Sequence, residues 1–392
     1  MIDRVHFERF KSLHDVTLEL GRLTVLVGPN GCGKSSLLKG IELLSQAMSP
    51  RRGEKDAGGF DDTFDHSFGG RQHPIRLTGS LPATMKLSAR DVAGDELALT
   101  IHVPRPGHPD PAGDQISFLM SVDGPDGLLQ AAIPPTIEHS SLAPRNPRVV
   151  KFASVVYLHL DATRMTQTWV SKDAMPRMGF DGSGLASTLA WMKGAAEEEL
   201  SQITRDLAQI VPGVTRIRTR RENVLQRRTE RHELDGQPVW RQVDEISLGD
   251  RFEIEFDGHR PVPADLLSEG TVLALGLLTK LREPERPRLV LLDDIDRGLH
   301  IEAQGRLVGV LRALLEQDPE LQIVCTTHSP YLLDRFDPSE VRVLALDEKR
   351  RTQACALTEH PEFEKWKFGS QTGELWAALG EAWVTHRRGA AE

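Results

Sequence analysis

The feature that most constrains this chain is a glycine-rich segment, residues 28–35, between two apolar stretches. It reads Gly-Pro-Asn-Gly-Cys-Gly-Lys-Ser and matches G-x-x-x-x-G-K-[ST] at every fixed position. The β-rich run before it, Leu23–Val27, predicts a buried strand. The apolar residues at 35–47 recur at helical spacing and predict a helix. A strand, a glycine-rich loop and a helix in this order indicate an α/β fold with a phosphate-binding loop.

The residue types of this loop indicate its chemistry. Three glycines let backbone N–H groups turn toward phosphate oxygens, and the N-terminus of the following helix adds positive charge. We expect Lys34 to reach the β- and γ-phosphates of a nucleoside triphosphate, and the Ser35 hydroxyl to bind Mg²⁺. The residues predicted to bind nucleotide here are Gly28, Pro29, Asn30, Gly31, Cys32, Gly33, Lys34, Ser35 and Ser36.

Cys32 occupies a loop position that needs a small residue. One interpretation is simply a small side chain that fits, and the other is a thiol near the phosphates that is sensitive to oxidation or alkylation. The other two cysteines, Cys325 and Cys355, lie far along the chain. Three scattered cysteines do not indicate a disulfide framework or a zinc cluster, so we expect a reducing, cytoplasmic location.

A second apolar strand, Leu289–Leu292, is followed directly by Asp293 and Asp294. A buried strand of this kind delivers its first carboxylate to Mg²⁺ at its carboxyl end, and the second can polarise the attacking water. His328 follows another apolar run, at 323–326, and we expect it to contact the γ-phosphate from the same sheet edge. The alternatives are two acids at a helix start and a structural or surface histidine.

The pentapeptide at 267–271, Leu-Ser-Glu-Gly-Thr, precedes a predicted helix. Ser268 is a good helix N-cap, which is its simplest interpretation. The functional interpretation is that Ser268 and Gly270, with the helix N-terminus, bind a γ-phosphate held by a second copy of the protein.

The motifs occur in the order found in ABC-type ATPases. The chain more specifically resembles the RecF/SMC-like branch, near the OLD-type and related AAA-labelled ATPases of bacterial genome maintenance and anti-phage defence. Phe-Lys-Ser-Leu at 10–13, the pentapeptide at 267–271 and Asp-Arg-Gly-Leu-His at 296–300 carry this resemblance. It implies an α/β P-loop NTPase fold with an ABC-type head, in which helices flank a mixed sheet.

The resemblance also implies a head-to-tail homodimer that sandwiches two ATP molecules with Mg²⁺ and hydrolyses them. It assigns nucleotide and metal binding to Lys34, Ser35 and Asp293, the catalytic carboxylate to Asp294, γ-phosphate sensing to His328, and completion of the partner's site to Ser268 and Gly270.

Three features depart from the family pattern. The catalytic acid is usually Glu, and Asp294 is shorter by one C–C bond, about 1.5 Å, so turnover is expected to be slow. The signature reads Ser-Glu-Gly instead of Ser-Gly-Gly. The Gln-bearing loop of the family has only one candidate here, Gln72.

The motifs also predict the domain organisation. The predicted parts are a nucleotide-binding core (residues 1–48 and 265–358), an inserted accessory lobe (49–264) with antiparallel strands and a helical stretch at 185–211, and a C-terminal helical tail (359–392). The insert shows no long heptads, so the long coiled-coil arm of an SMC protein is not expected.

The accessory lobe contains the best basic patch of a chain whose net charge is −9. Arg216, Arg218 and Arg220 alternate and so share one strand face, and Arg227 and Arg228 follow them. One interpretation is binding to the phosphate backbone of DNA or RNA. The other is a solvated strand face. No aromatic residues interleave with the arginines, so base stacking is not indicated.

Three functions stay open at this point. The first is an ATP-gated dimeric ATPase of DNA repair or anti-phage defence. The second is a regulatory ATPase that sequesters or activates a separately encoded effector, with the predicted helix at 372–385 as a candidate docking face. The third, a transporter subunit, fits poorly because the insert is much longer than such subunits need and contains no recognisable coupling segment.

Overall fold

A computed structural model describes residues 1–46, 84–102, 117–125, 128–133, 152, 154–234, 237–366 and 369–386. The chain divides into two compact units. The first unit comprises Met1–Leu158, Pro287–Arg297 and Leu311–Glu392, and the second comprises His159–Arg286 and Gly298–Val310.

The strands form three sheets. They are β1 (Ile2–Phe10), β2 (Leu13–Glu19), β3 (Leu23–Val27), β4 (Thr84–Asp91), β5 (Glu96–His102), β6 (Ser117–Asp123), β7 (Leu129–Ile133), β8 (Val155–Leu158), β9 (Val214–Leu234), β10 (Gln237–Phe256), β11 (Val262–Pro263), β12 (Leu289–Leu292), β13 (Gln322–Thr326), β14 (Val341–Leu346) and β15 (Thr352–Ala356).

The α-helices among the described residues range from one turn to nearly five. They are α1 (Lys34–Gln46), α2 (Ala162–Met165), α3 (Leu185–Ala195), α4 (Glu197–Ile210), α5 (Glu269–Arg282), α6 (Ile301–Gln317), α7 (Pro330–Leu333), α8 (Phe363–Trp366), α9 (Thr372–Leu379) and α10 (Ala382–His386).

The central sheet of the first unit has the strand order β15-β14-β3-β13-β12-β8. All its neighbouring pairs are parallel except β14 with β15. Every residue of β3, β12 and β13 is buried. Parallel strands are covered on both faces, which explains why these segments read as continuous apolar runs. The sheet brings the carboxyl ends of β3, β12, β13 and β8 to one edge.

An antiparallel sheet of order β2-β1-β4-β5-β6-β7 completes the first unit. The hydrophobic core of the unit includes Phe7 and Phe10 of this sheet, Leu37 of α1, and Leu291 of the central sheet. Helix α1 approaches β1 closely at Gly40, where an added Cβ would lie 2.5 Å from the Phe7 ring. The core therefore fixes the helix that follows the glycine-rich loop.

The second unit contains α3, α4 and α5 and a three-stranded sheet of order β11-β10-β9. Strands β9 and β10 pair along almost their whole length and form one long hairpin, which we call the ribbon. The predicted helical stretch at 185–211 is two helices, because the backbone at Ala196 leaves the helical region with φ −147° and ψ 51°.

Other elements differ in length or position from the prediction. Among the antiparallel strands predicted for the accessory lobe, β9 and β10 are unusually long, with 21 and 20 residues. The helix predicted at 372–385 is interrupted at Gly380, whose φ is 60°. Strands β4 to β7 join β1 in the first unit, whereas the predicted accessory lobe begins at residue 49. The domain boundaries given above thus stay a prediction.

Among the described residues, no helix combines the length and apolar character needed to cross a membrane.

A buried ion pair in the second unit gives a stability prediction. Arg282 Nη2 lies 2.7 Å from Asp206 Oδ2, and both side chains are less than 10% exposed. Replacing Arg282 with Met leaves the Asp206 carboxylate buried without its cation, so we expect the free energy of unfolding to fall by about 3 kcal/mol in urea titrations. The control is Arg306→Met in an exposed i,i+4 pair with Glu302, for which we expect less than about 0.5 kcal/mol. Equal losses in the two variants would contradict the prediction.

Candidate functional site

The glycine-rich loop joins β3 to α1 and follows a path that its glycines make possible. Gly28, Gly31 and Gly33 have φ values of 143°, 77° and 107°, which side chains rarely adopt. A Cβ at Gly28 would overlap the Leu344 carbonyl oxygen, and one at Gly33 would lie 2.5 Å from Thr352 Oγ1. Backbone conformation and space therefore both require glycine at these two positions.

Lys34 is the first residue of α1, and its ammonium group bends back over the loop. Its Nζ donates hydrogen bonds to the carbonyl oxygens of Gly28 (2.8 Å) and Pro29 (3.1 Å). The side chain is only 6% exposed. The loop thus surrounds a fixed positive charge beside a helix N-terminus, an arrangement suited to a polyphosphate.

Cys32 is buried in the same loop, with its Sγ 4.0 Å from Lys34 Nζ. Burial raises the pKa of the thiol, and the nearby Lys34 only partly opposes this effect. The Thr352 hydroxyl donates to the Cys32 carbonyl oxygen at 2.8 Å. This environment favours the small-residue interpretation, because a buried, protonated thiol reacts slowly.

The carboxylate of Asp293 receives three hydroxyl donors at the end of β12. Ser35 Oγ and Tyr157 OH donate to Oδ2 at 2.7 and 2.9 Å. Thr326 Oγ1 donates to Oδ1 at 2.6 Å. Hard oxygen donors, here a hydroxyl beside a carboxylate, are the ligands that Mg²⁺ prefers. The donor set of Ser35 and Asp293 therefore fits this ion.

Tyr157 is the site residue that sequence reasoning missed. It lies on β8, parallel to β12, where its register partner is Leu291. The side chain is 1% exposed, and burial followed by the charge of Asp293 raises the pKa of its phenol well above the usual value. Its only sequence signal was a tyrosine near the end of an apolar run. The sequence places Tyr157 in the predicted accessory lobe of antiparallel strands, which gives no reason to expect it at this edge of the parallel sheet.

Asp294 has a left-handed backbone conformation, with φ 50°. This conformation is tolerated by Asp more readily than by most residues. Its backbone N–H donates to Thr326 Oγ1 at 2.8 Å, and its Oδ1 lies 3.9 Å from His328 Nε2. Burial, followed by the charge of Asp293, raises the pKa of the Asp294 carboxyl. The structure therefore brings Asp294, His328, Asp293 and Ser35 together in the first unit.

Ser268 and Gly270 belong to the second unit. The Ser268 hydroxyl caps α5 by accepting a hydrogen bond from the Thr271 backbone N–H at 3.3 Å. A Cβ at Gly270 would overlap the carbonyl oxygen of Gly298, so a larger residue would displace this turn. The N-cap function is therefore present, and the contact with a partner's phosphate stays a prediction.

The arginine patch lies on the ribbon, opposite a matching set of acids. Arg218 pairs with Glu255, and Arg220 Nε lies 3.2 Å from Glu253 Oε2. Arg227 Nε lies 3.0 Å from Asp244 Oδ1.

The remaining residues predicted from the sequence are Arg216, Arg228 and Gln72. Arg216 is exposed and faces Glu255 across the two strands. The side chain of Arg228 and all of Gln72 lie outside the described residues.

The fold and the site define the class of the chain: it is a P-loop NTPase. Residues 169–334 match a family described as "AAA domain, putative AbiEii toxin, Type IV TA system", and residues 4–106 match another described as "AAA domain". These matches, together with a short match to an OLD nuclease, support an ABC/SMC-like ATPase related to OLD-type proteins.

Two curated relatives match short segments. The OLD nuclease of Thermus scotoductus is 46% identical over 44 residues, which are 11% of this chain and 8% of the relative. The Septu protein PtuA of Bacillus thuringiensis is 33% identical over 60 residues, which are 15% of this chain and 14% of the relative. The matches thus span a small part of either relative.

Solved SMC heads also align with the chain. A structure of an SMC head bound to the C-winged helix domain of ScpA has a TM-score of 0.48 at 14% identity and covers 91% of this chain and 98% of that one. The SMC head domain from Thermotoga maritima has a TM-score of 0.41 at 15% identity, with the same two coverages.

The buried phenol of Tyr157 gives a prediction that can be tested by absorbance, because the chain has few tyrosines. The chain has two tyrosines, so the Tyr331→Phe variant leaves Tyr157 as its only one. The unfolded chain releases this proton near pH 10, whereas the folded chain retains it because the pKa is raised. The stabilising contribution is therefore present below about pH 10 and is lost as the pH rises further.

An absorbance titration of this variant, with circular dichroism recorded in parallel, tests the prediction. We expect phenolate absorbance to rise only together with the loss of folded structure. Phenolate formation in a chain that is still fully folded would show that Asp293 and burial do not retain the proton.

Proposed function

We propose that the chain binds ATP with Mg²⁺ and hydrolyses it at the site around Asp293. The observation that carries the proposal is the 2.7 Å hydrogen bond from Ser35, at the end of the glycine-rich loop, to the Asp293 carboxylate. This hydrogen bond connects the glycine-rich loop, which would bind the phosphates, to the carboxylate that would bind the metal ion. Bound Mg²⁺ would offset the negative charge of the phosphates.

Each residue of the chain has a distinct task in this proposal. Lys34, whose ammonium group already lies over the loop, exchanges its carbonyl partners for the β- and γ-phosphates. Ser35 and Asp293 hold the metal ion. Tyr157 and Thr326 keep the Asp293 carboxylate oriented.

Asp294 and His328 act on the attacking water and the γ-phosphate. Asp294 orients the water as its proton acceptor, and His328, 3.9 Å from it, contacts the phosphate that is cleaved. An aspartate in this position extends less far than a glutamate. We therefore propose slow hydrolysis, in which bound ATP acts as a long-lived signal.

We propose further that the active form is a dimer in which each ATP is held by two copies. Ser268 and Gly270 at the N-terminus of α5 present backbone N–H groups and a helix dipole to the partner's γ-phosphate. The small, exposed side chain of Ser268 allows such an approach. ATP binding would then close the dimer, and hydrolysis would open it.

The biological setting we propose is bacterial DNA repair or anti-phage defence. The similarity to the OLD nuclease and the Septu protein PtuA supports this setting. The acids beside the ribbon arginines favour a second mode, in which a separately encoded effector responds to the ATP-bound dimer. The acidic partners of Arg218, Arg220 and Arg227 offset the charge of these arginines and so weaken their attraction for a DNA or RNA backbone.

The Asp294→Asn variant tests the catalytic assignment. It keeps the size of the side chain and removes the proton acceptor, so we expect ATP binding to persist, hydrolysis to fall by at least about 100-fold, and the dimer to accumulate. Phosphate release and sedimentation with ATP provide the measurements. Unchanged turnover would mean that another residue orients the water.

Two controls separate binding from catalysis in this test. Lys34→Ala should lose ATP binding itself, which equilibrium binding of a fluorescent ATP analogue detects. Lys39→Ala, on the same helix but outside the assigned site, should retain both binding and turnover. Normal ATP affinity in Lys34→Ala would contradict the assignment of the loop.

A further inference from the structure

The ribbon extends well beyond the part of the second unit that supports it. At its base, Ile217, Phe252 and Ile254 are at most 5% exposed. Strand β11 pairs with β10 only at Glu253 and Ile254. Further out, the Trp169 backbone still pairs with Asp250. From Asp250 to the tip at Leu234 and Gln237 the described ribbon is a two-stranded hairpin, and isolated hairpins of this kind are marginally stable in water.

One face of this outer part carries four exposed apolar side chains among polar ones. Leu225 pairs directly with Ile246, and Leu248 and Trp240 lie on the same face because residues two apart on a strand point the same way. These four side chains are 61%, 70%, 62% and 65% exposed, respectively. We call these four residues the apolar face. It continues the buried row of Ile254 and Phe252, so the same face is covered at the base and uncovered further out.

The charges near the apolar face are matched on the ribbon itself. Arg227 pairs with Asp244 at 3.0 Å, and Arg221 Nε lies 3.3 Å from Asp250 Oδ1. On the opposite face, Glu222 is paired with Arg251 at 3.5 Å. A face with balanced charges neither attracts a polyanion nor repels an identical face.

The exposed area of the apolar face is large enough for a small protein interface. A large aromatic side chain buries about 150–250 Å² when fully covered, and aliphatic ones somewhat less. With 61–70% exposure, the four side chains together offer about 500 Å² per copy. Two such faces would bury about 1,000 Å², which is the lower limit for a specific protein interface.

We propose that the apolar face packs against the same face of a second copy of the chain, so that two ribbons form a sandwich of two-stranded layers. A two-fold arrangement places the four residues of the apolar face of one copy against the same four residues of the other. It supplies the cover that the outer ribbon needs, and it brings no unpaired charge among the described residues into the interface.

This contact differs from the ATP-dependent dimer proposed above, because it requires no nucleotide. It would hold two chains together in the absence of ATP, while the nucleotide sites open and close. Failure of the ribbon contact would therefore leave ATP binding intact, and failure of the ATP assignment would leave the ribbon contact intact.

The experiment is sedimentation equilibrium of the full chain without nucleotide. We expect the wild type to form a dimer at micromolar concentration. The double variant Ile246→Glu plus Leu248→Glu places acids against acids, so we expect its dissociation constant to be at least about tenfold higher. The matched control is Glu245→Ser, at an exposed position on the opposite face, and it should associate like the wild type. Lys34→Ala should also associate like the wild type.

Hydrogen exchange of the wild-type protein at two concentrations gives an independent readout without any substitution. Amides of β9 and β10 should be more protected at the higher concentration. A wild-type chain that is monomeric without nucleotide at about 100 μM, or a double variant that associates normally, would overturn the proposal. A monomer that loses binding of a separate protein in the double variant would also overturn it, because the occupant would then be another partner.

Discussion

The carboxylate of Asp293 is the point on which the nucleotide site depends. Three hydroxyl groups from three separate elements donate to it: Ser35 from the start of α1, Tyr157 from β8 and Thr326 from β13. These donors meet only because β8, β12 and β13 are parallel neighbours whose carboxyl ends share one edge. The register of the central sheet therefore determines the position of the carboxylate, and the core around α1 determines where Ser35 meets it.

Much of this site could be predicted from the sequence because it is encoded locally. The glycine spacing at 28–33 specifies the loop, and four apolar residues followed by Asp293 specify a buried strand with an acid at its end. The same motifs allowed the class of ATPase to be stated, and the family matches bear out that class. The roles of Asp294, His328 and Ser268 stay predictions until they are measured.

Other features depend on contacts that no local pattern reveals. Tyr157 becomes a donor to Asp293 only once β8 lies beside β12, and a single tyrosine in an apolar run does not specify its neighbour. In the outer ribbon, charged residues interrupt the exposed apolar ones on the same face, so the alternation is weak and the length of the strands does not follow from the sequence. The break at Ala196 carries neither Gly nor Pro at the position itself, and Gly194, which weakens a helix, lies within α3 two residues earlier, so no local pattern places the break at Ala196.

The pairing of β9 with β10 also changes the functional interpretation of the ribbon arginines. Along one strand, Arg218 and Arg220 form a basic row, which suggests a phosphate-binding surface. Across the two strands, Glu255 and Glu253 lie beside them and offset the charge. The pairing of residues across the two strands cannot be read from the sequence. This pairing makes nucleic acid a less favoured partner of the ribbon and another protein chain a more favoured one.

The central claim is that each ATP site is shared between two copies. It is tested most directly by mixing two inactive variants, Lys34→Ala and Ser268→Arg, and measuring ATP hydrolysis. A mixed dimer contains one site with both defects and one site with neither. With equal amounts and random pairing, the shared site predicts recovery of about one quarter of wild-type activity. A mixture that stays as inactive as its two components would contradict the account.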